Sequence, residues 1–346
     1  MCLVVGLWLG NKPTKLPNYQ THYLTITITT DRYIFMALFN ILIFPGFAFL
    51  FVLGLAAEYI DRKLYARLQN RIGPPWFQPL ADFIKLISKE EIIPDEANPS
   101  MFKAMPIFAL TATIAAILYI PLWRADAICS FNGDLVVVLY LLTIPTLTYF
   151  LGGWYSTSLY SKIGAVRALT QLFAYEVPLL MCILAPALLA DTWSLSQMTR
   201  FYAGHHWYWL VNMPGFAISL ITLLGKLEKV QFDIPEAETE IVAGTFTEYS
   251  GRLLGLFRLT IDIETVVAGA LLAAVYLPFG LSSAPWIAFL GWIAKIFFII
   301  CTLSISRTLF ALLRIDQMIS FCWRYLAPLA FAQILLNLVL KWTLQR

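Results

Sequence analysis

One stretch of the chain concentrates the residues that could do acid–base chemistry. It runs from Glu228 to Arg252, in a protein where only 13% of the residues are charged and 60% are hydrophobic. Its carboxylates are Glu228, Asp233, Glu236, Glu238, Glu240 and Glu248. A solvated acidic loop would need no functional explanation, but Phe232, Ile241 and Phe246 are interleaved with the acids. We therefore expect the stretch to fold back on the protein, where burial and mutual repulsion raise or couple the carboxyl pKa values.

Four more ionisable residues lie within apolar stretches of the chain: Glu176, Asp262, Glu264 and Lys295. A charge in the middle of a bilayer is expensive, and such residues are candidates for function by default. Pro178 follows Glu176 closely, and the carbonyl that it frees near Ala174 could bind water. A lysine near the end of a span can reach the interface, but Lys295 is expected near the middle of one. These residues predict an ion or proton relay.

The composition is that of a membrane protein. The mean hydropathy is +0.73, and the 346 residues include 11 Trp, 16 Tyr and 25 Phe. A net charge of +3 without a basic tract argues against nucleic acid as a partner. The five cysteines form no Cys-x-x-Cys pair, so we expect no iron–sulfur cluster, metal or other cofactor in this chain. The sequence also contains no nucleophile–base motif and no phosphate-binding glycine loop, so catalysis by this polypeptide is not expected.

Eight apolar stretches approach the roughly 20 residues that a transmembrane helix needs. They lie near 34–57, 101–123, 135–155, 166–190, 207–225, 254–278, 285–305 and 325–342. The sequence therefore predicts an all-α integral membrane protein, a bundle of about eight transmembrane helices spanning 34–346. Residues 1–33 are interrupted by prolines and a threonine-rich run, and are expected to form a non-spanning extension.

Lysine and arginine are concentrated in every second connection between the predicted spans. The connections after the first, third, fifth and seventh spans hold most of them, whereas the other connections carry only Arg124 and Arg200. By the positive-inside rule the basic connections are cytoplasmic. We expect a multi-pass protein of the cell membrane with both termini on the other side.

The first cytoplasmic connection has charges of both signs. Within it, Pro79 to Ile92 has the periodicity of an amphipathic helix. Nine residues of the cytoplasmic face are predicted to dock a partner or to balance charge: Asp61, Arg62, Arg67, Arg71, Asp82, Lys85, Arg252, Arg314 and Asp316. For each cation the alternative is an ordinary anchor at the membrane surface. Because acids dilute the attraction to anionic lipid, pairing with the acidic stretch is the better interpretation.

Several motifs together resemble one family. They are Asp61-Arg-Lys, Arg67-x-Gln-x-Arg71-x-Gly-Pro, Gln78-Pro-Leu-Ala-Asp82-x-x-Lys85, Gln171 with Tyr175-Glu176, Phe232-Asp-Ile-Pro-Glu236-Ala-Glu238-x-Glu240, and Arg314-x-Asp316-Gln-Met. This combination, over about 58–328, resembles the subunit 1 family of respiratory complex I, a membrane subunit of NADH dehydrogenase. The resemblance implies an eight-helix core with a large cytoplasmic-side chamber. It also implies that Glu176 and the acids of the stretch link redox events in a docked iron–sulfur arm to charges within the membrane.

Two departures from the family pattern are specific. The turn after Gly73 is short, since Pro74-Pro75-Trp76-Phe77 leads directly to Gln78. This form is similar to the corresponding subunit of membrane-bound hydrogenases and their sulfur-reducing relatives. The family's acid at the end of the fifth span is Lys226 here, with Glu228 two positions on. Either Glu228 replaces that acid from an adjacent face, or Lys226 alters the coupling.

The leading hypothesis is a non-catalytic coupling subunit of an ion-translocating complex of the membrane-bound hydrogenase or sulfane reductase type. The resemblance implies iron–sulfur clusters, and in the hydrogenase type a nickel–iron site, in partner subunits. It also implies neighbouring antiporter-like membrane subunits. The alternative is the quinone-chamber subunit of NADH:quinone oxidoreductase. A stand-alone transporter is a third hypothesis, but the internal repeats or paired broken helices that it requires are not evident in the sequence.

Overall fold

The computed structural model describes residues 35–280, 284–309 and 311–344, and this part of the chain contains helices and no strand. The predicted extension 1–33 lies outside the described residues. After a helical segment at 35–42, five long or amphipathic helices follow. They are α1 (Phe47–Leu68), α2 (Gln78–Ser88), α3 (Pro99–Ile117), α4 (Asp134–Tyr155) and α5 (Leu159–Ala190).

The second half of the chain alternates short and long helices. The short ones are α6 (Leu195–Gly204), α7 (His206–Val211), α9 (Glu238–Ile241) and α12 (Ile315–Phe321). The longer ones are α8 (Met213–Lys226), α10 (Gly251–Tyr276), α11 (Pro285–Leu309) and α13 (Ala327–Leu344). A 3-10 turn, Gly244–Phe246, precedes α10, and a π turn, Cys322–Leu326, joins α12 to α13.

Seven helical stretches of the described chain are long and apolar enough to cross a membrane, and α8 is a shorter apolar helix beside them. The predicted all-α membrane fold is therefore confirmed. The amphipathic helix predicted within the first connection is α2. It begins beside Pro79, which suits the first turn of a helix because proline lacks the backbone N–H that would otherwise be left unpaired there.

Several helices extend beyond the apolar stretches that predicted them. α1 continues to Leu68 instead of ending near Ala57, so its last three turns carry charged residues. α5 begins at Leu159 and stays helical through Pro178 and Pro186, although each proline removes one backbone hydrogen bond. The final span begins at Ile315, not near residue 325. Hydropathy marks the part of a helix in lipid, and the helix itself continues where backbone hydrogen bonds and side-chain pairs still favour it.

The predicted fifth span is broken. α7 and α8 occupy its place and are separated by Asn212, and Pro214 lacks the backbone N–H that a continuous helix would use. The side chain of Asn212 is 3% exposed, donates to the Tyr202 hydroxyl, and accepts from Asn337 at 2.9 Å and Gln333 at 3.3 Å. These hydrogen bonds provide the partners that a helix break in an apolar environment requires.

α10 is the most enclosed of the spans, with 89% of its apolar window buried inside the protein. It packs on α1 and α3, and α5 packs on α4, α8 and α13. The hydrophobic core therefore runs along α5 and α10. Glu264 of α10, which is 1% exposed, and the buried Oε2 atom of Glu176 on α5 are held away from lipid by their neighbours.

Candidate functional site

A charged cavity lies between α1, α2, α10, the end of α11 and the segment that follows α8. Its volume is about 310 Å³. Ten of its seventeen lining residues are charged: Glu58, Arg62, Asp82, Glu228, Lys229, Asp233, Glu236, Arg258, Asp262 and Arg307. We call this cavity the charged chamber. The structure thus brings three acids of the acidic stretch together with Asp262 and with residues of the first connection.

The end of α1 anchors one wall of the charged chamber. Asp61 is 4% exposed and accepts from Lys229 at 2.9 Å, from Arg307 at 3.0 Å and from the Ser304 hydroxyl. One carboxylate therefore joins α1, the acidic stretch and α11. A buried carboxylate with two cations and a hydroxyl has its lone pairs satisfied, which is the condition for keeping such a charge out of water.

Arg62 forms the neighbouring contact. It pairs with Glu58 one turn earlier on α1 and with Asp82 of α2 at 2.9 Å. Gln78 also donates to Asp82, at 2.7 Å. The amphipathic helix is therefore fixed to α1 through its polar face, and Arg62 and Asp82 balance each other's charge. These contacts stay within α1 and the first connection. The ion pairs that reach the acidic stretch are those of Lys229 with Asp61 and Glu58.

Gln171 positions the start of the acidic stretch. Its side-chain amide is 1% exposed and donates to the carbonyls of Gly225 at 2.7 Å and Phe232 at 2.8 Å. α5 therefore holds both the end of α8 and the loop that follows it. The amide uses two donors for two backbone acceptors that no regular helix satisfies.

Glycines allow the rest of the stretch to press against α4 and α5. A Cβ on Gly164 would lie 2.6 Å from the Thr245 nitrogen and 2.8 Å from the Gly244 Cα. Gly244 has φ +51°, and a Cβ there would lie 1.6 Å from the Pro235 carbonyl oxygen. Only glycine combines this backbone conformation with this close approach. The loop is thereby folded back on the bundle, as its interleaved apolar residues predict.

Glu228 is an enclosed acid of the charged chamber. Its Oε2 is buried and accepts no hydrogen bond from the residues that the structure describes. Burial raises the pKa of Glu228 well above its usual value of 4.5, and the carboxylates of Glu236, Asp233 and Glu264 raise it further. The neutral, protonated form is therefore favoured. Glu228 can accept or release a proton when a nearby charge changes.

Lys229 beside it has the opposite balance. Burial by itself would lower the pKa of Lys229, but the carboxylates of Asp61 and Glu58 outweigh burial and raise it. Lys229 is therefore a fixed cation. Lys229 thus supplies a stable positive charge, and the adjacent Glu228 supplies a carboxyl group with a perturbed pKa. Such perturbed groups are typical of sites whose protonation state changes with the nearby charge.

The remaining acids of the stretch have separate environments. Glu236 pairs with Arg258 at 3.1 Å beside the charged chamber. Glu240 is 55% exposed and pairs with Arg167 at 2.7 Å, outside the charged chamber. Glu248 is half-buried in the turn before α10, and the side chain of Glu238 lies outside the described residues. Of the six acids predicted to form a relay, Glu228, Asp233 and Glu236 line the charged chamber.

A second cluster lies deeper in the bundle. Lys226 at the end of α8 pairs with Glu264 of α10 at 3.3 Å, and the two side chains are 2% and 1% exposed. Lys226 also donates to the Leu142 carbonyl at 2.5 Å and lies 5.8 Å from the centre of the Tyr175 ring. We call Lys226 and Glu264 the central pair. The segment 226–228 connects this pair directly to the charged chamber.

Glu176 lies beside the central pair. It lines the same small cavity as Lys226, with a volume of about 10 Å³, close to the smallest space that holds one water. The Oε2 atom of Glu176 is buried and accepts no hydrogen bond from the described residues. A carboxylate oxygen with spare acceptor capacity next to a site for one water is suited to receiving a proton. The structure therefore brings Glu176, Glu264 and Lys226 together.

Lys295 lies away from both the charged chamber and the central pair. Its ammonium group donates to the Phe279 carbonyl at 2.5 Å and lies 4.7 Å from the centre of the Phe279 ring. Phe279 follows the end of α10, at the end of that helix opposite the charged chamber. The side chain thus reaches a loop carbonyl, as a snorkelling lysine does. The structure does not place Lys295 with the predicted relay.

Six of the predicted docking residues are exposed: Arg67, Arg71, Lys85, Arg252, Arg314 and Asp316. Their side chains are free to face a partner or a headgroup layer. Among the described residues there is no group of three or more His, Cys, Asp or Glu side chains placed to hold a metal ion. The site is therefore built from charges and hydrogen bonds of the chain itself.

Sequence reasoning missed part of the network. Lys226 was noted only as a departure, and its burial against Glu264 was not predicted. Glu58, Lys229, Arg258 and Arg307 were not assigned to the site, yet all line the charged chamber. The spacing of Glu58 and Arg62, one helical turn apart, was an available signal. The contacts with Lys229 and Arg307 join distant parts of the chain and leave no local pattern.

Comparisons with known proteins agree with this architecture. The family model described as NADH dehydrogenase matches residues 39–338. NADH-quinone oxidoreductase subunit 8 of Thermus thermophilus is 34% identical over 310 residues, covering 84% of each chain. An NADH-quinone oxidoreductase subunit of Carboxydothermus hydrogenoformans is 30% identical, covering 84% of this chain and 85% of the relative.

A solved structure is similar over most of its length. A chain from the membrane-bound sulfane sulfur reductase, an archaeal respiratory membrane complex, superposes with a TM-score of 0.74 at 25% identity. The match covers 84% of this chain and 96% of that one. Sequence and structure therefore agree, and the chain belongs to the NADH dehydrogenase family of membrane subunits.

Proposed function

We propose that this multi-pass membrane protein is the anchoring and coupling subunit of an ion-translocating respiratory complex of the membrane-bound hydrogenase or sulfane reductase type. The observation that carries the proposal is the continuity from the charged chamber through segment 226–228 to the central pair and Glu176. Titratable groups begin at one end of the bundle and continue into its interior. A charge that changes near the charged chamber can therefore alter protonation within the membrane.

In this proposal, peripheral iron–sulfur subunits dock over the acidic stretch and the exposed cations of the same face. In this proposal that face is cytoplasmic and both termini lie on the opposite side. The positive-inside rule supports this orientation, since Arg62, Lys229 and Arg307 line the charged chamber. Electrons move through clusters of the partners, with a nickel–iron site in the hydrogenase type. Neighbouring antiporter-like subunits complete ion transfer. The family membership supports a multi-subunit assembly.

The mechanism uses groups of this chain as follows. A change of charge in the docked arm alters the proton affinity of Glu228, which shares its environment with Asp233 and Glu236 and is protonated at rest. Loss or recovery of that proton changes the potential at Glu264, and the central pair shifts the balance between Glu264 and Glu176. Lys229 stays charged and holds Asp61 in place. Each step transfers a proton, with one O–H bond broken and another formed, or changes the local electric potential.

Glu176→Gln tests the proposal in the assembled complex reconstituted in vesicles. The variant should lose redox-driven ion uptake while electron transfer by the soluble arm continues, because the amide keeps the shape of Glu176 but cannot carry a proton. Asp126→Asn is the control, since Asp126 pairs with Arg200 on the exposed surface. Unchanged uptake by the Glu176 variant would remove Glu176 from the relay.

The second candidate is the quinone-chamber subunit of NADH:quinone oxidoreductase. The names of the relatives from Thermus and Carboxydothermus favour it. The lining of the charged chamber favours the first candidate, because small-molecule sites are mostly apolar and ten of the seventeen residues here are charged. Assaying the purified complex for quinone reduction, with and without quinone-site inhibitors, separates the two. Inhibitor-sensitive quinone reduction would select the second candidate.

A further inference from the structure

Lys226 places its ammonium group against a carbonyl and a carboxylate in the interior of this protein. Its Nζ contacts the Leu142 carbonyl at 2.5 Å and Glu264 at 3.3 Å, and it faces the Tyr175 ring. A sodium ion in a protein interior is held by a cage of carbonyl and carboxylate oxygens. At the central pair, an ammonium group that is part of the chain already contacts these oxygens.

The surroundings of the central pair offer little else to a metal ion. Eight of the ten residues that line the neighbouring cavity are Leu, Ile or Ala, and the other two are Glu176 and Lys226. The cavity volume is about 10 Å³, which suits at most one water. A sodium ion would need several further oxygen ligands. It would also lie beside a buried ammonium group, and two cations at short range in a medium of low dielectric repel strongly.

Proton transfer has none of these requirements. Glu176 has a buried oxygen that accepts no hydrogen bond from the described residues, and Glu264 is the partner of Lys226. The small cavity that Glu176 lines beside Lys226 has room for one water, which is enough to exchange a proton with the Glu176 carboxyl. The positive charge of Lys226 compensates one carboxylate, so that a proton can be gained or lost without leaving two uncompensated anions inside the membrane.

We propose that Lys226 is the specificity-determining residue of this relay, a built-in cation that makes the central cluster respond to protons and excludes sodium. The inference rests on the proposed function and identifies the proton as the ion that this chain handles. It does not concern the ions that the neighbouring subunits move. A carboxylate or a neutral side chain at position 226 would free the Leu142 carbonyl and Glu264 for a metal ion.

The test uses pH-induced infrared difference spectra of the assembled complex in sodium-free and sodium-rich buffers. Carboxyl bands that disappear in Glu264→Gln or Glu176→Gln are assigned to the cluster. In the wild type, the position and amplitude of these bands should be the same in both buffers. In Lys226→Gln the bands should become sodium-dependent, with loss of carboxyl protonation at high sodium. Lys226→Arg keeps the cation and should remain insensitive.

Lys295→Gln is the matched control, because Lys295 is another lysine of a span but binds a loop carbonyl. It should leave the assigned bands insensitive to sodium. Sodium-dependent bands in the wild type would overturn the inference even if no variant assembled. Insensitive bands in a correctly assembled Lys226→Gln complex would also overturn it. Failure of the proposed function is distinct, since it would be seen as wild-type electron transfer without any ion uptake.

Discussion

Lys229 of the acidic stretch donates to Asp61 of α1 across 2.9 Å, although 168 residues separate them in the chain. Arg307 donates to the same carboxylate oxygen at 3.0 Å. One buried acid therefore holds two cations from two distant segments. The contact determines where the acidic stretch meets the first span, and so determines the shape of the charged chamber.

Asp61→Ala should destabilise the protein by about 2–4 kcal/mol, because it leaves Lys229 and Arg307 without their shared anion. This loss is smaller than the largest losses of stability known for buried ion pairs, because the Arg307 side chain is 21% exposed and stays partly hydrated. The midpoint of thermal unfolding in detergent measures the change. Asp316→Ala, at an exposed acid, serves as control and should leave the midpoint nearly unchanged. Equal midpoints for both variants would contradict the shared-anion account.

Glu228→Gln should remove a pH-dependent part of the stability. Because burial raises the pKa of Glu228 in the folded state, the fold stabilises the protonated carboxyl. This contribution is complete below the usual glutamate pKa of 4.5 and is lost as the pH rises through the raised value. The wild type should therefore lose stability with rising pH by a component that the glutamine variant lacks.

Thermal unfolding of the wild type and Glu228→Gln across that pH range checks this expectation. The two proteins should be similar in acid and should diverge as the pH rises, with the variant the more stable. Asp316→Asn is a suitable control, because Asp316 is exposed. Parallel curves at all pH values would mean that Glu228 is solvated.

Gly164→Ala should displace the acidic stretch from α5. The added Cβ would lie 2.6 Å from the backbone nitrogen of Thr245, and a backbone atom cannot move aside as a flexible side chain can. We expect a loss of about 1–3 kcal/mol, typical of overpacking, and faster proteolysis of the stretch. Gly291→Ala is the matched control, since Gly291 is also helical and a Cβ there meets nothing within 4 Å. Equal behaviour of the two variants would exclude the close approach.

Asn212→Ala should weaken the junction between α7 and α8. Asn212 takes part in hydrogen bonds with Tyr202, Gln333 and Asn337 and donates to the Tyr208 carbonyl. At about 0.6 kcal/mol for each hydrogen bond inside a membrane, the four contacts correspond to a loss of roughly 2 kcal/mol. Equilibrium unfolding in mixed detergent measures it. Thr111→Ala, which removes an exposed hydroxyl bonded to its own helix, should have little effect.

Much of the fold could be predicted because a bilayer imposes simple requirements on composition. Long apolar runs predicted the spans, and helical periodicity predicted α2. The boundaries were less predictable, since α1 continues beyond its apolar part through a segment that carries the Glu58–Arg62 pair and the contact of Arg62 with α2. The break at Asn212 depends on partners in α6 and α13, which no local pattern indicates.

The candidate site, too, could be predicted from the sequence only in part. The acidic stretch and the family motifs identified Glu228, Asp233, Glu236 and Glu176 as candidates. Lys226 and Lys295 look alike in the sequence, because each is a lysine in or beside an apolar run. Only tertiary contacts distinguish them: one ammonium group meets Glu264 inside the bundle, and the other meets the Phe279 carbonyl. A charge in a predicted span therefore needs its partner identified before a role is assigned.

The contacts of Asp61 also determine the order in which the protein can be completed during synthesis. Its two cations follow it by 168 and 246 residues, so neither exists when the first span leaves the ribosome. At about 5–20 residues per second, the carboxylate waits on the order of 10–50 s for Arg307. Closure of the first wall of the cavity is thus a late event in biogenesis, since a nascent chain that has not reached residue 307 lacks one of the two cations of Asp61.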